Sequence, residues 1–91
     1  MRITLVTKVL ADGTACAKCK DVMRLLERGN HLSRIDRTLV ADERDPAGPG
    51  WIAAQLYGVD SAPFFVVRTD DGRERVYTVF HEFLHEVLEA G

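Results

Sequence analysis

Two cysteines, Cys16 and Cys19, are the only thiols in the chain, and two residues separate them. Thiols at this spacing can close a small disulfide loop and reopen it. They lie where a strand-like run gives way to a helix-like one, so the first cysteine would meet the positive end of a helix. That position favours the thiolate, which attacks disulfides and binds metals, and the pair therefore predicts redox or metal chemistry. The alternative is that both cysteines only pack on the apolar face of a helix.

A second pattern is the H-E-F-L-H run from His81 to His85, which matches the H-E-x-x-H signature of zinc proteases. In that signature the two histidines bind zinc and the glutamate acts as a base. Too few residues follow His85 to supply a third ligand, and the last element of a small domain leaves little room for a substrate cleft. We therefore interpret both histidines as edge positions of an amphipathic helix.

A zinc site that combines Cys16 and Cys19 with His81 and His85 is disfavoured by spacing. Zinc fingers keep roughly 12–15 residues between their two ligand pairs, and many more separate these pairs. We predict no metal site within the chain. A metal that bridges the cysteine pairs of two copies stays open as an alternative, since thiolates favour soft metals.

Composition narrows the class of protein. The chain has 91 residues, 46% hydrophobic and 29% charged, which is typical of one globular domain spanning residues 1–91. The net charge of −2 provides no basic field for nucleic acid. Two cysteines are too few for a secreted disulfide scaffold, and neither a signal peptide nor a membrane span is recognisable. We expect a cytoplasmic monomer with no nucleic-acid or membrane partner.

The hydrophobic periodicity predicts the element order β-α-β-α-β-β-α. Apolar and β-branched runs indicate strands, and apolar residues at three- and four-residue steps indicate helices. The predicted strands are 3–10, 35–41, 63–67 and 74–80, and the predicted helices are 16–28, 50–57 and 81–90. A right-handed crossover would make the first two strands parallel, and the turn Asp70-Asp71-Gly72 would make the last two antiparallel. The fold class is α/β, a mixed four-stranded sheet with helices on both faces.

Three features make the chain resemble the thioredoxin-like superfamily in its small, glutaredoxin-sized form. The first is Cys16-Ala17-Lys18-Cys19 between the first strand and the first helix. The second is the stretch YGVDSAPFFVV at 57–67, where a helix ends, a proline follows a small residue and an apolar strand begins. The third is the element order, which covers nearly the whole chain. The resemblance implies a thioredoxin-like fold.

The resemblance also implies roles for individual residues. In the family the proline corresponding to Pro63 follows a cis peptide bond and packs beside the cysteine pair, and the residue before it, here Ala62, pairs its backbone with an extended substrate. Cys16 would attack a disulfide, and Cys19 would resolve the mixed disulfide. We assign substrate contact to Ala62, Pro63 and Lys18, since Lys18 adds positive charge near the thiolate.

The chain departs from the family at several positions. Ala15 stands before the pair, where thioredoxins usually have tryptophan, and no acid lies on the preceding strand. Glutaredoxins hold glutathione with a Gly-Gly turn before the last helix, and here residues 78–82 read TVFHE. We expect no cofactor, and the glutathione site lacks its usual residues, although glutathione remains a candidate reductant.

The expected function is thiol-disulfide oxidoreduction on protein or small-molecule disulfides, with a reductase or glutathione regenerating the dithiol. Two alternatives stay open. One is a non-catalytic thioredoxin-fold module that binds a partner peptide along Ala62, and the other is metal binding by the cysteine pair. Trp51 and Tyr57 are interpreted as packing residues of the short second helix, with lining of a substrate groove as the alternative.

Overall fold

The computed structural model describes residues 1–90 and has a four-stranded mixed sheet at its centre. The strands in chain order are β1 Arg2–Val9, β2 Arg37–Asp42, β3 Phe64–Arg68 and β4 Glu74–Tyr77. Their order across the sheet is β2-β1-β3-β4. β1 runs parallel to β2 and antiparallel to β3, which is antiparallel to β4. The predicted α/β class, with a parallel first pair and a final hairpin, is confirmed.

Three helices flank this sheet. They are α1 Ala17–Arg28, α2 Pro49–Tyr57 and α3 Phe80–Phe83, which continues as a π-helical segment at Leu84–Leu88. A short 3-10 turn, Leu32–Arg34, precedes β2. None of the helices in residues 1–90 combines the length and the apolar character that a membrane-crossing segment needs.

The sheet separates two apolar cores, because successive side chains of a strand point to opposite faces. The larger core lies under α1 and α3, and its most deeply buried members are Ile3, Leu5, Leu26, Phe65 and Phe83. The smaller core lies under α2 and comprises Val6, Ala53, Phe64 and Val66. The first four residues of β3 are all buried, as predicted for a strand covered on both faces.

The last helix differs from its predicted range of 81–90. It begins at Phe80 and widens at Leu84, where the N–H of Glu89 donates to the Leu84 carbonyl at 2.8 Å. In the widened turn the neighbours Val87 and Leu88 are both buried, so the predicted apolar face is retained. A regular α-helix would turn these two side chains about 100° apart, and the periodicity of the sequence alone does not reveal the wider turn.

Two strands are shorter than predicted. β4 ends at Tyr77 rather than at 80, because Phe80 already forms the first residue of α3. β2 begins at Arg37 rather than at 35, because the N–H of Ile35 donates to the Leu32 carbonyl and closes the 3-10 turn. In both places, residues whose types also suit a strand belong instead to a helical turn or to the cap of a helix.

α2 packs directly on the backbone of β2, and Gly50 permits this approach. A Cβ at Gly50 would overlap backbone atoms of Val40 and Ala41. The approach brings the next residue, Trp51, to the end of β2, where its indole N–H donates to the Asp42 carbonyl at 2.7 Å. The position of Trp51 therefore depends on the absence of a side chain at residue 50.

Candidate functional site

Cys16 is the N-cap residue of α1. Its backbone is extended, with φ −65° and ψ 154°, and its Sγ accepts a hydrogen bond from the N–H of Cys19 at 3.3 Å. The Cys16 side chain is partly exposed. Its sulfur thus sits at the end of the helix where unpaired N–H groups and the helix dipole favour negative charge.

The segment before α1 ties Cys16 to the end of β1. The N–H of Cys16 donates to the Lys8 carbonyl at 3.0 Å, and Ala15 forms an isolated β-bridge with Val9. The turn between them is held by Asp12, whose carboxylate accepts from both the N–H and the hydroxyl of Thr14. These bonds lower the pKa of Asp12 below its usual value. Cys16 is therefore held by the sheet as well as by its own helix.

Cys19 lies one turn into α1 and is only 1% exposed. Burial, with a smaller contribution from the neighbouring Cys16, raises the pKa of its thiol to about 11, against the opposing effect of a hydrogen bond from the N–H of Lys8 to Cys19 Sγ at 3.3 Å. Cys19 is therefore a protonated, shielded thiol at neutral pH. The two cysteines differ in exposure and in hydrogen bonding, as the prediction of an outer and an inner thiol requires.

We expect alkylation by iodoacetamide to separate the two thiols. In a Cys16→Ser protein, where Cys19 is the only thiol, the rate at pH 8 should lie at least about tenfold below that of a free cysteine peptide, because burial raises the pKa of the Cys19 thiol and shields its sulfur. The rate should rise about tenfold per pH unit from pH 6 to 9. Mass spectrometry of quenched samples measures both trends.

The matched control is the Cys19→Ser protein, in which the partly exposed Cys16 is the only thiol. In native protein, Cys16 should alkylate faster than Cys19 at every pH from 6 to 9. In urea, where the protein is unfolded, this difference in rate should disappear. Equal rates for the two variants under native conditions would contradict the structural distinction between the thiols.

Cys16 opens onto a groove of about 530 Å³ between the start of α1 and the side of α2. Lys18 and Ala62 line the same groove, which we call the cysteine groove. Lys18, Ala62 and Pro63 also line an adjacent recess of about 240 Å³. The peptide bond between Ala62 and Pro63 is cis, which confirms that prediction. The fold thus gathers the predicted site residues at one end of the sheet, with Cys19 beneath Cys16.

Lys8, which the sequence did not assign to a site, lines the cysteine groove together with Trp51. The Lys8 ammonium lies 5.9 Å from the centroid of the Trp51 ring and 3.4 Å from a carboxylate oxygen of Glu43. Trp51 both packs against β2 and faces the groove, so its two proposed roles coexist. Tyr57 faces a different cavity, on the other side of α2. Its hydroxyl donates a hydrogen bond to a carboxylate oxygen of Glu74 at 2.8 Å.

The two lysines that line the cysteine groove, Lys8 and Lys18, differ in their charge partners. Lys8 is paired with Glu43, whereas Lys18 forms no ion pair with any residue of the described range 1–90. Asp60 also lines the groove, and it too forms no ion pair with another residue of 1–90. A substrate in the groove would meet one free ammonium, one free carboxylate and an apolar wall. The sequence signal that could have singled out Lys8 is its place at the end of β1, eight residues before Cys16.

The two histidines of the H-E-x-x-H run are exposed on the last helix. Their ring centroids lie 5.5 Å apart, and Nδ1 of His85 contacts a carboxylate oxygen of Glu89 at 2.7 Å. Within residues 1–90, no group of three or more histidine, cysteine, aspartate or glutamate side chains is arranged to hold a metal ion. The histidines of this run therefore interact with each other and with Glu89 on the surface.

Comparison of the chain with known protein families, with curated proteins and with solved structures finds no match. The geometry of the cysteine groove is therefore the basis on which a function is assigned.

Proposed function

We propose that this chain is a thiol-disulfide oxidoreductase with a thioredoxin-like fold of glutaredoxin size. The C-x-x-C pair at the start of α1, the element order and the mixed sheet support the fold assignment. The function is supported by the unequal burial of Cys16 and Cys19 at the mouth of a groove. We place this chemistry in a reducing cytoplasm, where a close cysteine pair can cycle between dithiol and disulfide.

The first step is attack of the Cys16 thiolate on one sulfur of a substrate disulfide. A bond forms between Cys16 Sγ and that sulfur, and the other half of the substrate leaves as a thiolate. The helix N-terminus and the N–H of Cys19 lie beside Cys16 Sγ, where they stabilise the negative charge of the attacking thiolate. Lys18, free of carboxylate partners within residues 1–90, is placed to attract an anionic substrate or leaving group.

The second step is resolution by Cys19. Its thiol loses a proton to solvent, its sulfur attacks Cys16 Sγ, and the remaining half of the substrate leaves as a thiolate. The two electrons that reduce the substrate come from the dithiol, which becomes a disulfide. The N–H of Lys8, which already contacts Cys19 Sγ at 3.3 Å, favours the charge that develops there. An external thiol, such as glutathione or a reductase dithiol, then restores both thiols.

The substrate class follows from the cysteine groove. Trp51 and Ala62 provide an apolar surface beside the attacking sulfur, and the backbone of Ala62 can pair with an extended chain. A disulfide in a flexible or unfolded peptide segment fits these walls, as does a low-molecular-weight disulfide. A disulfide buried in a folded protein would not reach Cys16.

Trapping the mixed disulfide tests the proposal. Cys19→Ser protein incubated with oxidised glutathione should gain the mass of one glutathionyl group on Cys16, because the resolving thiol is absent. The unmodified protein should form its internal disulfide without a lasting adduct, and the Cys16→Ser protein should form no adduct at neutral pH. Adducts of equal yield on both variants would overturn the assignment of roles.

Trapping, peptide binding and metal analysis together separate the two other candidate functions. A non-catalytic peptide-binding module would bind an extended peptide in the cysteine groove equally well in Cys16→Ser and unmodified protein, and Cys19→Ser would trap no glutathionyl adduct. A metal bridge between two cysteine pairs would give a fixed metal content in protein purified without chelator, and that content would vanish in Cys16→Ser.

A further inference from the structure

A second cavity, of about 430 Å³, lies on the other side of α2 and towards the opposite end of β1 from the cysteines. Its floor is the apolar side of the sheet, formed by Val6, Leu39 and Val66. This volume is within the range of small-ligand sites in proteins. α2 has only nine residues and leaves this part of the sheet uncovered.

Three arginines, Arg2, Arg37 and Arg68, line this cavity, which we call the arginine cavity. Arg2 and Arg68 are direct partners in the register of β1 and β3. Arg37 pairs with Thr4 in the register of β1 and β2, and its Nε donates to the Thr4 hydroxyl at 3.2 Å. Like charges directly opposite each other destabilise a sheet, so the fold retains this arrangement at a cost.

None of the three arginines forms an ion pair within residues 1–90. The one acidic residue that lines the cavity is Glu74, which is the register partner of Arg68. Its carboxylate accepts a hydrogen bond from the hydroxyl of Tyr57. The chain as a whole carries a net charge of −2. The cavity therefore has a local excess of positive charge, three arginines against one glutamate, on an otherwise acidic protein.

The remaining wall of the arginine cavity is apolar. Ile52 and Leu56 of α2 line it and are 60% and 73% exposed. Large aliphatic side chains exposed to this degree on one helix face, next to a recess, are typical of a binding surface. Positive charge and apolar surface thus meet within one concave site.

We propose that the arginine cavity binds an amphipathic organic anion. A carboxylate, sulfate or phosphate head would pair with Arg2, Arg37 and Arg68, since the planar guanidinium group binds two oxygens of such an anion through two parallel hydrogen bonds. The apolar body of the ligand would lie against Val66 and Leu56. The bound anion would also neutralise the repulsion between Arg2 and Arg68. This site is independent of the cysteine groove and of the proposed redox function.

The probe is octanoate, and its binding is measured by backbone-amide NMR titration. Acetate, which has the carboxylate head without the chain, and n-octanol, which has the chain without the charged head, are the matched controls. Octanoate should give saturable shifts confined to the amides of β1, β3 and α2 around the cavity. Acetate and n-octanol should each bind at least about tenfold more weakly, because each lacks one half of the interaction. Equal binding of octanoate and n-octanol would overturn the proposal.

Charge-removing variants complete the test. Arg68→Gln should weaken octanoate binding by about fivefold or more, whereas Arg28→Gln, the same change at an exposed position of α1, should leave it unchanged. Free Arg68→Gln protein should unfold at about the same temperature as the unmodified protein, because the change removes both the like-charge contact with Arg2 and the opposite-charge contact with Glu74. Marked destabilisation, or unaltered octanoate affinity, would show that Arg68 serves the fold alone. In Cys19→Ser protein, trapping of glutathione on Cys16 should be the same with and without Arg68→Gln, so the two proposals fail separately.

Discussion

Replacing Cys16 with serine should abolish disulfide reduction by this protein. The serine hydroxyl stays protonated at neutral pH and does not attack disulfides, so the rate should fall by at least about a hundredfold, to that of the uncatalysed reaction. The measurement is a single turnover, in which pre-reduced protein is mixed with an aromatic disulfide and the released thiolate is followed by absorbance.

This substitution should leave the fold intact, which makes the loss interpretable. Cys16 caps α1 by accepting the N–H of Cys19, and serine is among the best N-cap residues. Cys16→Ser should therefore unfold at the same temperature as the unmodified protein or slightly above it. A variant with lost activity and a lowered unfolding temperature would not count as support for the attacking role.

Cys19→Ser is the matched control for the same reaction. It should release one of the two substrate thiolates at a rate close to that of the unmodified protein, and the other half should stay bound to Cys16 until an external thiol is added. Unmodified protein should release both. Full turnover by Cys19→Ser would contradict a resolving role for the buried thiol.

Gly50→Ala should be the most destabilising single substitution of a glycine in this chain. Alanine favours a helix over glycine by about 1 kcal/mol, but its Cβ would overlap the backbone of Val40 and Ala41. Backbone atoms of a central sheet cannot move aside as a flexible side chain can, so α2 must shift. We expect a net loss of about 3 kcal/mol or more in unfolding free energy, measured by urea denaturation.

Gly58→Ala provides the comparison within the same helix. Gly58 ends α2 with φ +66°, and a Cβ there meets no atom within 4 Å. Its cost is the left-handed backbone alone, about 1 kcal/mol. If Gly50→Ala and Gly58→Ala lower the free energy of unfolding by the same amount, the close packing of α2 on β2 is not what makes Gly50 necessary.

Trp51 reports on the same displacement, because it is the only tryptophan. Its fluorescence should change in native Gly50→Ala protein and not in Gly58→Ala, since a shift of α2 breaks the bond from its indole N–H to Asp42. The single-turnover rate of disulfide reduction should fall with it, because Trp51 lines the groove beside Cys16.

Much of the fold could be predicted from local patterns. The buried run of β3 and the Asp70-Asp71-Gly72 hairpin turn are strong short-range signals, and both are confirmed. The boundaries near residues 35 and 80 could not be predicted, because a 3-10 turn and the cap of α3 compete there with strand formation. The widening of the last helix at Leu84 depends on how two adjacent side chains reach one core.

The sequence by itself determined the chemistry that is available: two thiols at a spacing that allows closure, a helix to carry them and a proline segment further along the chain. Only the tertiary structure decided the surroundings of that chemistry. Burial of Cys19, the hydrogen bond that it accepts from Lys8, and the entry of Trp51 into the groove all join residues distant in the chain. The pairing of Arg2 with Arg68 likewise exists only in the register of the sheet. Spacing along a chain specifies local geometry, whereas desolvation, charge balance and close packing depend on which distant residues the fold brings into contact.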